Sequence, residues 1–155
     1  MRAGARVLGY GPDGTVATLR EGTNEIVCLA DAPADTTFSV ACYHASIEPY
    51  MARGRALRDE GVSGQELNTI RWREMEEGTL ARPTFMAMLY VLHGSGFDAQ
   101  SGQVTDPYLR YVMYVPGATG ESLGLPVAPV GPGAPWLMYP GTQGAHIMIT
   151  PPRNR

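Results

Sequence analysis

The sequence has no lysine, only two cysteines and no apolar run longer than eight residues. All positive charge comes from arginine, and the formal net charge is −3 at pH 7. This balance argues against the basic surface of a nucleic-acid-binding domain and against a polybasic membrane patch. An eight-residue run is too short to cross a bilayer, and no apolar signal-peptide core follows Met1.

Glycine and proline are abundant: 19 glycines and 13 prolines make up more than a fifth of the 155 residues. They cluster where turns are expected, which is typical of many short strands joined by structured loops. A chain of this length usually forms one domain. We therefore expect a single domain over residues 1–155.

The longest apolar segment of the sequence is Phe85–Leu92, where every residue is apolar. Successive residues of a strand point to opposite faces, so both faces of this segment are apolar. This predicts an interior strand that is covered on both sides. A short buried helix is the alternative, but the flanking Pro83 and Gly94 favour a strand.

The first third of the chain, residues 1–45, reads as an antiparallel strand meander. Turn residues separate four apolar segments, and Gly11-Pro-Asp-Gly14 is a strong hairpin signal. The four predicted strands are Arg6–Tyr10, Thr15–Arg20, Glu25–Ala30 and Phe38–His44.

Residues 46–78 predict a helical hairpin. Ser46 is the expected cap of a first helix that ends near Glu60. Ser63-Gly-Gln-Glu66 matches a capping box, and a second helix follows to about Glu77. The arginines of these helices alternate with acids, which indicates a solvated face; they are Arg53, Arg55, Arg58, Arg71 and Arg73.

Residues 83–150 return to strands. After a polar loop over 94–107 we predict strands at Leu109–Val115, Trp136–Tyr139 and His146–Ile149. The Gly/Pro-rich segment 116–135 cannot be a central strand, so we expect an ordered arm on the surface. The fold class predicted is α+β, with a mainly antiparallel, curved sheet and one helical hairpin packed on it.

Cys28 and Cys42 lie in two predicted strands that are adjacent in sequence. Antiparallel neighbours bring such positions within bridging distance, and a bridge across about 15 residues contributes roughly 3 kcal/mol in the chain-entropy description. Two buried free thiols are the alternative. The spacing matches neither CxxC nor a zinc pattern.

Three histidines, His44, His93 and His146, stand at the ends of predicted strands. No HxH or HExxH spacing occurs, so no metal ligand set is predicted. His93-Gly-Ser95-Gly suggests a hydrolase, but the G-x-S-x-G pattern and the following helix are absent. A hydrolase or metal-dependent enzyme that uses His93, Ser95 or His146 therefore stays an alternative.

Eight methionines and eight tyrosines are many for this length. Such side chains fill irregular cores and also line apolar ligand pockets. The residues that we consider possible ligand or metal contacts are His44, His93, His146, Tyr90, Tyr111 and Met113.

Three blocks of the sequence resemble a group of uncharacterised, exported bacterial proteins. The first is Gly14-Thr-Val with Leu19-Arg-Glu-Gly-Thr-Asn24 and Cys28. The second is Ala87–Leu92 with Pro107–Pro116, and the third is Pro135–Thr142 with Ala145–Ile149. The resemblance implies a secreted or periplasmic mature chain and supports the Cys28–Cys42 disulfide, but it implies no activity.

Together these observations favour an exported, non-enzymatic protein that binds a small apolar ligand or a partner protein. The Met- and Tyr-rich sheet surface and the arm 116–135 are the expected contacts. The enzyme is one alternative, and a structural subunit of a larger assembly is another. The sequence predicts no cofactor, and we assign no catalytic residue from it.

Overall fold

A computed structural model of the chain describes residues 2–152. This range contains ten strands and three α-helices. The strands are β1 (Arg6–Tyr10), β2 (Val16–Arg20), β3 (Ile26–Leu29), β4 (Phe38–His44), β5 (Ala87–Gly94), β6 (Gly96–Asp98), β7 (Gln103–Thr105), β8 (Tyr108–Tyr114), β9 (Trp136–Met138) and β10 (His146–Ile149). The helices are α1 (Glu48–Asp59), α2 (Gly64–Glu76) and α3 (Gly120–Leu123).

Eight strands form one sheet in the order β2-β1-β3-β4-β5-β8-β10-β9. Six of its neighbouring pairs are antiparallel, and the pair β1–β3 is parallel. The fold therefore mixes helices with a large, mainly antiparallel sheet. The sheet is not strongly curled, in contrast to the curved sheet that the sequence suggested.

The predicted meander of the first third is wrong at β3, which lies beside β1 and not beside β2. After β2 the chain crosses the start of β1, and β3 then runs parallel to β1 on its other side. The amides of Thr23 and Asn24 both donate to the carbonyl of Gly4, at 2.8 and 3.1 Å. Gly22 is needed at this crossing because a Cβ there would lie 2.7 Å from the backbone nitrogen of Arg6.

Helices α1 and α2 cover one face of the sheet, which we call the helix face. Side chains from both helices and from six strands meet there in the main core. Its buried members are Leu8, Val27, Tyr43, Ile47, Tyr50, Met75, Ala87, Leu89, Val112, Tyr114 and Met148.

The helical hairpin has nearly the predicted bounds, but its caps differ. Before α1 a short 3₁₀ turn is capped by His44, whose Nδ1 accepts from the amide of Ser46. Ser46 is therefore not the helix cap. Ser63 occupies the N-cap position of α2 but makes no side-chain capping bond, so the predicted capping box is wrong.

The predicted solvated arginine face is wrong for Arg71, which is 7% exposed. It occupies the middle of the buried row Leu67–Arg71–Met75 on α2, and these residues are four apart and share a helix side. A buried guanidinium requires hydrogen-bond partners, which Arg71 finds on the backbone of both helices.

The strand β5 is an interior strand, between β4 and β8, as its sequence predicted. Ala87 and Leu89 are buried on the helix face, whereas Met88, Tyr90 and Leu92 on the other face are only half-buried. The prediction that both faces are covered is therefore wrong. We call this other side the open face.

Residues 94–107 are not a plain loop, because they contain the two-stranded hairpin β6–β7. Phe97 of this hairpin stacks on Phe38 of β4, with ring centroids 5.3 Å apart. The three-residue strands carry no run of apolar residues, which is why the sequence pattern missed them.

The arm 116–135 is ordered and packs along β9. Leu123 and Leu125 lie on a small second core formed by Val115, Leu137 and Ala145. Further on, the amide of Leu137 donates to the carbonyl of Pro126 at 2.8 Å, on the outer side of β9. The sequence did not predict α3, whose four residues are too few to show a helical period.

Candidate ligand-binding cleft

An open cleft of about 1290 Å³ lies where β5 ends and β8 begins. The segment that follows β10 forms the other wall of the cleft. Its lining combines hydroxyls, one cation and one carboxylate with proline rings. The lining residues are Thr37, His93, Gly94, Ser95, Asp106, Pro107, Tyr108, Leu109, Arg110, Tyr111, Thr150, Pro151 and Pro152.

Arg110 and His93 form the polar centre of the cleft. They lie on neighbouring strands, and an Arg110 Nη2 donates to the His93 Nε2 at 2.7 Å. Because arginine is always protonated, this contact makes Nε2 the acceptor of a neutral imidazole. The Nε of Arg110 is buried and has no hydrogen-bond partner among residues 2–152.

The charge of Arg110 is not neutralised by an ion pair within the described range. The ion pairs found there involve Arg6, Arg53, Arg55 and Arg73. A guanidinium presents a planar fork that fits a carboxylate or phosphate with two bonds. Arg110 therefore offers an anion-binding group beside the cleft.

Ser95 and Asp106 stand at the outer end of the same cleft. The Ser95 hydroxyl donates to the Asp106 carboxylate at 2.9 Å, and the Ser95 amide donates to the Thr105 carbonyl at 2.9 Å. Asp106 has a φ of 48°, which is uncommon for a residue other than glycine. Backbone held in this region is found disproportionately at functional sites.

A second, more apolar groove of about 750 Å³ adjoins the cleft. The two cavities share Tyr108, Arg110 and the segment Thr150–Pro152. The other walls of the groove come from the arm and from β9 and β10. They are Pro129, Gly131, Pro132, Ala134, Trp136, Met138 and Met148.

The predicted contact residues do not converge. Of the six, His93 and Tyr111 line the cleft. Tyr90 and Met113 lie on the open face, where Tyr90 makes an edge contact with Tyr111 at 5.9 Å between ring centroids. His44 lies at the opposite end of β4 and caps a 3₁₀ turn. The open face as a partner-protein surface stays a prediction.

His146 is separated from His93 by six ladder positions along β8, since the two pair with Tyr114 and Tyr108. At about 3.4 Å per residue this is a distance of roughly 20 Å. The His146 ring packs between Tyr114 and Tyr139, with centroids 5.3 and 5.7 Å away. Burial there lowers the pKa of His146. The structure therefore does not bring His146 into one site with His93 and Ser95.

Cys28 and Cys42 lie directly opposite each other on β3 and β4, and their sulfurs are at bonding distance, 2.11 Å. Cys42 pairs on its other side with Tyr90, so the bridge belongs to the open face. Within residues 2–152 no cluster of histidine, cysteine or acidic side chains could hold a metal ion.

Sequence reasoning missed Arg110, Tyr108 and Asp106. A signal for Arg110 was present, because it is the single charge within the apolar strand β8. A charge in an interior strand needs a specific reason. Asp106 precedes Pro107 in what read as a polar loop, and only the paired strands place it beside Ser95.

No protein-family model, curated protein or solved structure matches this chain. Among the described residues, no helix is long and apolar enough to span a membrane.

Proposed function

We propose that this chain is an exported, non-enzymatic binding protein for a small amphipathic molecule that carries a carboxylate. The observation that supports this most is the position of Arg110, at the junction of a polar cleft and an apolar groove. The proposal keeps the apolar ligand expected from the sequence and moves its site from the open face to this junction.

The anionic group is assigned to Arg110. Its Nη2 is bonded to His93, while its buried Nε has no partner within residues 2–152. A ligand anion would neutralise the charge of Arg110, which no ion pair within residues 2–152 neutralises. Tyr108 and Thr150 line both cavities beside Arg110. Asp106, the one carboxylate of the cleft, is hydrogen-bonded to Ser95.

The apolar part of the ligand is assigned to the groove beside Trp136, Met138 and Met148. Methionine adapts to irregular apolar ligands because its side chain is unbranched and polarisable. The groove, at about 750 Å³, falls within the roughly 300–1,000 Å³ of small-molecule sites. Proline rings of the arm form the outer wall, which gives the arm its predicted role as a contact.

Export is supported by the Cys28–Cys42 pair at bonding distance. Structural disulfides persist mainly in oxidising compartments. The resemblance to exported bacterial proteins points the same way, and we propose a secreted or periplasmic location.

The test compares decanoate with decanol by isothermal titration calorimetry, because the two share an alkyl chain and differ in charge. We expect decanoate to bind the wild-type chain more tightly than decanol. Arg110→Gln should weaken decanoate binding about 10-fold or more and leave decanol unchanged. Arg73→Gln is the matched control, since Arg73 lies on α2 and is 65% exposed.

Equal decanoate affinity in the wild-type and Arg110→Gln chains would contradict the assignment of the anion. Failure of both ligands to bind would overturn the amphipathic class. Circular dichroism of each variant establishes that the fold is retained.

One observation favours the hydrolase as a second candidate: His93 and Ser95 line the same cleft. The Ser95 hydroxyl, however, donates to a carboxylate. A hydrolase should release p-nitrophenol from p-nitrophenyl acetate above the background rate, and Ser95→Ala should abolish that release. An unchanged rate in Ser95→Ala would exclude Ser95 as the nucleophile.

A further inference from the structure

The two edges of the eight-stranded sheet differ in how they are covered. At β9 the arm 116–135 lies along the outer side, where Leu137 bonds to Pro126. At the other edge β2 has β1 as its only neighbour among the described strands. The arm 116–135 therefore covers the β9 edge, whereas no described strand pairs with the outer side of β2.

The open edge carries main-chain groups that point away from the protein. In the β1–β2 hairpin the amide of Gly11 donates to the carbonyl of Thr15, which marks a hydrogen-bonded pair. Hydrogen-bonded and non-hydrogen-bonded pairs alternate in an antiparallel ladder. Gly9–Ala17 is therefore hydrogen-bonded, and the N–H and C=O groups of Val16 and Thr18 point outward.

β2 lacks most of the features that prevent edge-to-edge pairing. Such edges usually carry proline, lysine or an outward charge. In Val16–Arg20 the only charge is Arg20, and its guanidinium is directed back to its own chain, where it donates to the carbonyls of Ala5 and Arg2. Leu19 is 64% exposed and lies over Gly9. A bulge at the Arg20 end limits how far a flat pairing can extend.

We propose that β2 pairs with β2 of a second copy, antiparallel and centred on Thr18. The segment is self-complementary in this register: Thr18 faces Thr18, Ala17 faces Leu19, and Val16 faces Arg20. No like charges are opposed: Thr18–Thr18 brings two hydroxyls together, Ala17–Leu19 is apolar, and Val16–Arg20 places a single cation opposite an apolar side chain. A two-fold axis makes the contact closed, so a dimer forms and not a fibre.

The β2 edge is separate from the ligand cleft, which lies where β5 ends and β8 begins. The paired stretch is short, so the dimer is weak and depends on concentration. Sedimentation velocity from about 10 µM to about 1 mM covers the corresponding dissociation constants. We expect the sedimentation coefficient to rise from the monomer value towards the dimer value over this range.

Thr18→Pro removes an outward N–H that no strand of the monomer uses, and proline is tolerated at such edge positions. This variant should remain monomeric throughout, whereas Thr18→Val, which keeps the N–H, should associate like the wild type. A wild-type chain that stays monomeric at about 1 mM would overturn the proposal. A dimer that persists in Thr18→Pro would overturn it too, because association would then use another surface.

Cross-linking gives a second measurement that does not depend on affinity. In the proposed register the two Thr18 Cα atoms are about 5.5 Å apart, within the range that a disulfide spans. Under mild oxidation Thr18→Cys should give a covalent dimer, and Asp13→Cys at the hairpin turn should not. Equal cross-linking at the two positions would contradict the register.

Discussion

Arg71 lies over the ring of Tyr50, with its guanidinium carbon 3.8 Å from the ring centroid. The same guanidinium donates to the Tyr50 carbonyl at 3.2 Å and to the Asn68 side chain at 2.6 Å. One buried cation thus joins α1 to α2. It can come this close because residue 54 of α1 is glycine: a Cβ there would lie 2.9 Å from Nη1 of Arg71.

Gly54→Ala should therefore destabilise the protein, although alanine is the better helix former by about 1 kcal/mol. We expect the free energy of unfolding to fall by about 1–2 kcal/mol, because the pinned guanidinium has to move. In an Arg71→Ala background the same substitution should stabilise by about 1 kcal/mol. Urea unfolding of the four chains measures both effects, and the same sign in both backgrounds would contradict this account.

Reduction of the Cys28–Cys42 bridge should lower the free energy of unfolding by about 3 kcal/mol, because the denatured chain regains the entropy of an open loop. Urea unfolding with and without dithiothreitol measures the loss. Cys28→Ala with Cys42→Ala is the matched control and should not respond to dithiothreitol. An equal response in the control would assign the effect to the reagent.

Stability should fall as the pH drops below about 6.5, the ordinary pKa of histidine. Burial lowers the pKa of His146 in the folded protein, so the unfolded chain takes up its proton first. The unfolded state then binds more protons, and the loss reaches at most about 1.4 kcal/mol per pH unit until the folded pKa is passed. Replacing His146 by Phe should reduce this slope, as urea unfolding at several pH values would show. An unchanged slope would mean that other groups cause the pH dependence of the free energy of unfolding.

Met86 has a φ of 63°, and its side chain is 55% exposed. A left-handed backbone costs about 1–2 kcal/mol for a residue with a Cβ. Met86→Gly should raise the free energy of unfolding by about 0.5 kcal/mol, after the larger entropy of glycine in the unfolded chain is subtracted. Met86→Ala removes the side chain and keeps the strain, so it should give no gain. Thermal unfolding of both variants distinguishes the two effects.

The strands and helices were largely predictable, because each depends on a local pattern. Turn residues and polar loops separate the apolar segments, so the bounds of β1, β4 and β10 could be read directly. The pairing of Cys28 with Cys42 followed from the same pattern, since both lie in strands that are consecutive in sequence.

The rest depends on contacts between distant segments. The parallel placement of β3 is decided by how Gly22 packs against Arg6, and strand periodicity carries no record of that crossing. The sequence predicted that Arg71 is a surface charge because its neighbours on α2 are charged. The glycine that leaves space for its side chain, Gly54, lies on a different helix, α1. The cleft was missed for the same reason: Asp106 and Ser95 are 11 residues apart and meet only when β6 and β7 pair.

The bridge between β3 and β4 has a consequence for how the protein opens. The strands β2, β1 and β3 form one end of the sheet and join the remaining strands through the β3–β4 pair. A unit that is hydrogen-bonded to the rest of the sheet along one seam is a natural candidate for partial opening, in which its amides exchange with solvent before those of the rest. The covalent link lies across that seam. In the oxidised protein residues 6–29 therefore stay attached to β4 during such excursions, and reduction frees them to exchange as a separate unit.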